Sequence, residues 1–213
     1  MTSRPQSRPE AVATVSRQAV VSSLVAPVLL IVGWLYAVSL APGFDRVRQP
    51  VSDLTAANAP NRSVMTAVLM LVGVCHVVTA VGLRPADPTG RWLLGGGGGS
   101  LVVLALIPNR VVGHYYLVHA YWSALTFGLL ALWPALSARF GPRVVWPLRM
   151  PVGLAASLVT FALILATVHG IITEADTLGL REDALLAWTT VWPLVVVTGA
   201  RAGAERTGIP PSL

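Results

Sequence analysis

Six apolar runs, at 19–40, 63–83, 92–107, 111–136, 152–172 and 184–200, take up most of this chain, and every Asp, Glu and Arg lies outside them. A run of about 20 apolar residues crosses the hydrocarbon core of a bilayer as a helix. Only helices and closed barrels satisfy their own backbone in lipid, and none of the runs has the period-two alternation of barrel strands. The expected fold is therefore all-α: a polytopic membrane protein built as a six-transmembrane-helix bundle. The tails, 1–18 and 201–213, are too polar or too short to fold alone, which leaves 19–200 as the transmembrane domain.

Charge orients the bundle. All 15 basic residues are Arg, with no Lys, a usage that looks like a high-GC bacterial coding bias. With the N-terminus inside, ten arginines fall in inner segments (4, 8, 17, 84, 91, 139, 143, 149, 201 and 206) and five in outer ones (46, 48, 62, 110 and 181). An excess of inner arginine predicts an N-in/C-in arrangement in a bacterial cytoplasmic (inner) membrane, with both termini cytoplasmic. The run at 19–40 is too long for the apolar region of a cleaved signal peptide, so an uncleaved anchor is expected. A pI of about 10.7 raises nucleic acid as a partner. Arginine in short clusters beside apolar runs instead meets lipid headgroups, and no nucleic acid is expected. The lone Cys75 excludes an intramolecular disulfide.

On this topology the chemically capable side chains gather at the outer end: Asp53, Asn109, Arg110, His114, His119, His169, Glu174 and Asp176. Each has a structural reading beside a functional one. Ser52 or Asp53 caps a short interfacial helix, or Asp53 is an acid/base group or metal ligand. His114 and His119, five apart, do not share a helix face. His114 and His169 should lie at similar shallow depth, so with Asp53 and Glu174 they make a candidate divalent-metal shell. The alternative is a hydrogen-bonded interfacial network. Tyr115, Tyr116, Tyr121 and Trp122 read as an aromatic belt. Glu182 and Asp183 read as partners of the sixth helix dipole. His76, deeper in the second run, reads as a helix-to-helix hydrogen bond or as a haem or quinone ligand paired with His119. The glycines 95–99 lack the strand and the Lys-Ser/Thr of a phosphate loop, and read as a close helix contact or as a break lining a cavity.

Several short motifs recur in one order: Asp45, then Pro50-Val51-Ser52-Asp53-Leu54, Pro60-Asn61, Gly82-Leu83-Arg84-Pro85, a glycine-rich third run closed by Pro108, His119, and Trp192-Pro193. This pattern resembles the bacterial six-span membrane family known as domain of unknown function 998. The resemblance implies a small helical inner-membrane protein with the Ser-Asp motif and a histidine as family features, and it implies no reaction. His114 and His169 are not part of the pattern.

Three classes of function follow. The first is a non-catalytic membrane protein with a polar-ligand or lipid-headgroup site at the outer helix ends. The second is an outer-leaflet enzyme acting on a lipid or prenyl substrate, with Asp53 and Glu174 as acid/base groups and His114, His119 and His169 holding a metal or moving protons. The third is a haem or quinone redox protein. Membrane lipids are expected partners, and a homo-oligomer is compatible with all three.

Overall fold

A computed structural model describes residues 14–109, 114–142 and 144–206, with the side chains of 114–116 and 206 excepted. Among the described residues six long helices follow one another: α1 (Arg17–Ser39), α2 (Arg62–Gly82), α3 (Pro88–Leu106), α4 (His114–Ser137), α5 (Met150–Ile172) and α6 (Leu178–Arg206). Each packs on its neighbours in sequence, and α6 returns against α1 to close the ring. Contacts between the start of one helix and the end of the next, as at Ser22 with Thr79, show that these neighbours are antiparallel. One end of the bundle therefore carries Arg17, Arg84, Arg91, Arg139 and Arg149, and the other carries Asp53, Glu174, Asp176 and Glu182.

Burial is that of a protein in lipid. Val21, Leu158 and Leu165 point outward with 60%, 68% and 67% exposure, an arrangement water would not tolerate over so many large side chains. Inside, hydroxyls pair between helices, Ser22 with Thr79 and Ser100 with Thr126, each at 2.8 Å. Without a hydrophobic drive between helices in lipid, such bonds and close backbone packing hold the bundle together.

Five helices are long and apolar enough to cross a membrane, and α3 is the exception. The reason lies in its sequence: the glycines 95–99 add almost no hydropathy, and Arg91 sits in its first turns. Those glycines do different jobs. A Cβ on Gly98 would stand 2.5 Å from the Gly73 carbonyl oxygen, and one on Gly73 would stand 2.6 Å from that of Gly98. This is the point where α2 and α3 touch backbone to backbone. Gly99 faces open space. The run stays helical throughout, so it is no break.

Local chemistry sets the helix ends. The Asp87 carboxylate accepts from the Thr89 N–H at 2.9 Å, with Pro88 opening α3. The Arg91 guanidinium donates from Nε to Ala80 O at 2.8 Å and from Nη2 to Val81 O at 2.7 Å. It thus satisfies carbonyls that the end of α2 leaves free. Replacing Arg91 by Ala should lower stability by about 2 kcal/mol, read as an earlier midpoint on SDS titration in mixed micelles. A shift no larger than that of an Arg84→Ala control would remove this role.

α6 begins earlier than the apolar run at 184–200 indicates. Its first turns include Arg181, Glu182 and Asp183, because the helix continues past the apolar stretch to Leu178. Glu182 and Asp183 consequently lie beyond the first turn, where the dipole no longer accounts for them.

Candidate functional site

Between α1 and α2 the chain folds over one end of the bundle. Within this connection Val51–Thr55 form a 3-10 turn that buries Val51, Leu54 and Thr55 and leaves Ser52 and Asp53 half-buried. The turn follows Pro50 and has no side-chain cap of its own, so neither Ser52 nor Asp53 caps it. The cap comes from the far end of the chain. Glu182 Oε2 accepts from the Ser52 N–H at 3.1 Å and from the Ser52 hydroxyl at 3.4 Å. Gly179 permits the approach of α6: any side chain there would strike the carbonyl oxygens of Arg46, Val47 and Gln49. The Leu180 N–H donates to Val47 O at 3.3 Å, and an exposed Arg48–Asp176 ion pair at 3.5 Å ties the same segments.

Asn109, just past α3, completes the polar group. Its Nδ2 donates to Ser52 Oγ at 3.1 Å and to Asp53 Oδ1 at 3.3 Å. The hydroxyl of Ser52 has one proton. Since it accepts from Asn109, that proton goes to Glu182, and the three side chains form a directed chain of donors ending on the carboxylate.

Beneath the turn lies a cavity of about 30 Å³, lined by Ser52, Thr55, His119, Ser123 and Glu182 and walled by Leu69, Leu101, Phe127 and Leu186. That volume holds about two waters. His119 Nδ1 lies 2.9 Å from Ile107 O, at the end of α3. A carbonyl only accepts, so Nδ1 carries hydrogen and a neutral ring keeps Nε2 as an acceptor. At 1.5 Å per residue, Glu182 is about 6 Å and His119 about 7.5 Å from the starts of their helices. Glu182 makes no ion pair among the described residues.

Of the other residues singled out by the sequence, His169 and Glu174 lie elsewhere. His169 is exposed near the end of α5, where Arg181 Nη1 lies 3.2 Å from its Nδ1. Glu174 is exposed in a left-handed conformation (φ 50°) just after that helix. His114 opens α4, and its side chain falls outside the described residues, as do Arg110, Tyr115 and Tyr116. Among the described residues no three His, Cys, Asp or Glu side chains are grouped so as to hold a metal ion. His76 is 2% exposed, with Nδ1 at 2.8 Å from Val72 O and Nε2 at 3.1 Å from Thr189 O of α6. It forms the interhelical contact expected of it, and both ring nitrogens are turned to backbone carbonyls rather than toward His119.

Sequence reasoning passed over Glu182 and Ser123. The only signal for Glu182 is a carboxylate two residues ahead of an apolar run, and a helix start explains that equally well.

Comparison with curated proteins and with solved structures gives no match. A family model described as "Protein of unknown function (DUF998)" matches residues 24–199, a span that takes in α2 to α5 whole, most of α1 and α6, and every pocket residue named above. The ordered motifs and the all-helical bundle agree with that match, and the chain, a multi-pass helical membrane protein, belongs to the DUF998 family.

Proposed function

We propose that this protein is a bacterial inner-membrane protein with six crossings, α3 included, and that the pocket under Val51–Thr55 binds a small hydrogen-bond-donating cation. The ligand class is the primary ammonium headgroup of a membrane lipid. One observation carries the reading: the Glu182 carboxylate lines a water-sized cavity together with the His119 imidazole, with no cationic side chain paired to it among the described residues. A charge held at the edge of the membrane without a partner marks a binding site by default. A small pocket with a carboxylate acceptor suits an –NH3+ group, which donates hydrogen bonds, better than a trimethylammonium, which is larger and donates none. The arginine excess at the opposite end supports placing that end in the cytoplasm and the pocket at the outer leaflet.

Native mass spectrometry of the detergent-purified protein tests this. Phosphatidylethanolamine should be retained over phosphatidylcholine of the same chains, and Glu182→Gln should lower its retention about tenfold by removing the charge-assisted bonds. Equal retention of the two lipids, or an unchanged Glu182→Gln protein, would refute the assignment.

A second reading is acid/base catalysis on a lipid or prenyl substrate. It is favoured by Glu182 and His119 lining one cavity, the arrangement a proton-transferring pair needs. It requires turnover that disappears in both Glu182→Gln and His119→Gln.

A further inference from the structure

A second concavity lies at the opposite, arginine-rich end, on the outside of the bundle between α1 and α2. It is a shallow, open depression of about 430 Å³. Its walls are apolar: Val21 and Val25 from α1, Cys75 and Val78 from α2. Arg17 and Gln18, both exposed in the first turn of α1, stand at one end of it. The groove therefore has the layout of a lipid, an apolar channel along the helices under a cationic mouth.

The arginines of this end divide into two kinds. Arg91, Arg139 and Arg149 donate to the backbone carbonyls of Ala80, Ala86 and Val144 respectively. These are structural. Arg17 makes no hydrogen bond or ion pair among the described residues. It also sits in the first turn of α1, where the helix dipole adds positive potential. Two like-signed sources of charge beside an apolar groove complement a negatively charged headgroup attached to a hydrocarbon chain.

We propose that the α1/α2 groove is a binding site for an anionic phospholipid, with one acyl chain along Val21, Val25, Cys75 and Val78 and the phosphate on Arg17. The site is separate from the pocket at the other end and selects the opposite charge.

The test is native mass spectrometry of the purified full chain with equimolar phosphatidylglycerol and phosphatidylcholine of identical acyl chains. Phosphatidylglycerol should be retained preferentially. Arg17→Gln should lower its retention about fivefold, the loss expected for one arginine near an anionic surface, and Arg17→Lys should keep most of it. Val25→Trp, which fills the groove from an exposed position, should remove both adducts. Arg84→Gln, at the same end but outside the groove, should change nothing, and Arg17→Gln should leave phosphatidylethanolamine retention at the other end untouched. An equal loss in Arg84→Gln would mean diffuse surface charge and overturn the proposal. So would adducts that survive Val25→Trp. Cross-linking of Cys75 to Cys75 between copies in phosphatidylglycerol vesicles would show that a second chain fills the groove instead.

Discussion

Gly98→Ala should destabilise the bundle by about 3 kcal/mol, whereas Gly99→Ala, one residue along, should shift stability by less than about 0.5 kcal/mol or raise it. The contrast follows from what each added methyl meets. At Gly98 it stands 2.5 Å from the Gly73 carbonyl oxygen and 2.8 Å from His76 Cβ. Neither is the end of a flexible side chain, so α2 and α3 must move apart and the interhelical contacts around them loosen. At Gly99 nothing lies within 4 Å, and Ala brings only its better helix propensity. SDS titration in mixed micelles reads both. Comparable effects in the two variants would place the α2/α3 contact elsewhere.

Glu182 gives the second large effect, and its sign separates a binding residue from a structural one. Glu182→Ala leaves the half-buried Ser52 N–H and hydroxyl without their protein acceptor and should cost about 1–2 kcal/mol. Glu182→Gln keeps an oxygen for the same donors while removing a charge that no cation in the described chain offsets. Holding an uncompensated carboxylate at such depth is unfavourable, so the Gln protein should be as stable as the wild type or more so, by up to about 1 kcal/mol. Stability gained together with ligand retention lost is the pattern of a group kept for function. If Gln destabilises as much as Ala, the carboxylate serves to hold the 3-10 turn, and the pocket loses its claim.

The fold was legible because lipid makes its demand residue by residue: a helix must be apolar along its whole crossing. The runs at 19–40, 63–83 and 152–172 lie within three residues of α1, α2 and α5 at each end. α6 begins earlier than the sequence indicates because Glu182 and Asp183 read as the opening of the helix and Arg181 as loop, although a helix continues into the headgroup layer without penalty. For the glycines 95–99, composition cannot tell which ones meet a neighbour, since that depends on the crossing point of two helices.

The pocket was legible only in part, for a related reason. Asp53 and His119 drew notice as polar residues in apolar surroundings. Glu182 did not, because the helix dipole supplied a sufficient local account of it. Its actual partner, Ser52, is 130 positions away, and no local pattern encodes that pairing. His114 and His169 drew notice by their similar expected depth near Asp53 and Glu174, which helix length gives without saying which side chains meet. The neighbour of His169 is a cation, Arg181, which the sequence had assigned to the same end without placing it against the ring.

The route by which Glu182 reaches Ser52 also bears on how the protein is made. The turn at Val51–Thr55 emerges early in synthesis, whereas the carboxylate that caps it arrives with the last helix. Until α6 is in place, the Ser52 N–H lacks its acceptor and the cavity lacks the wall that Glu182 and Leu186 supply. The ligand binding proposed for this end would therefore require the finished chain, and a ligand held there would report that α6 is in place.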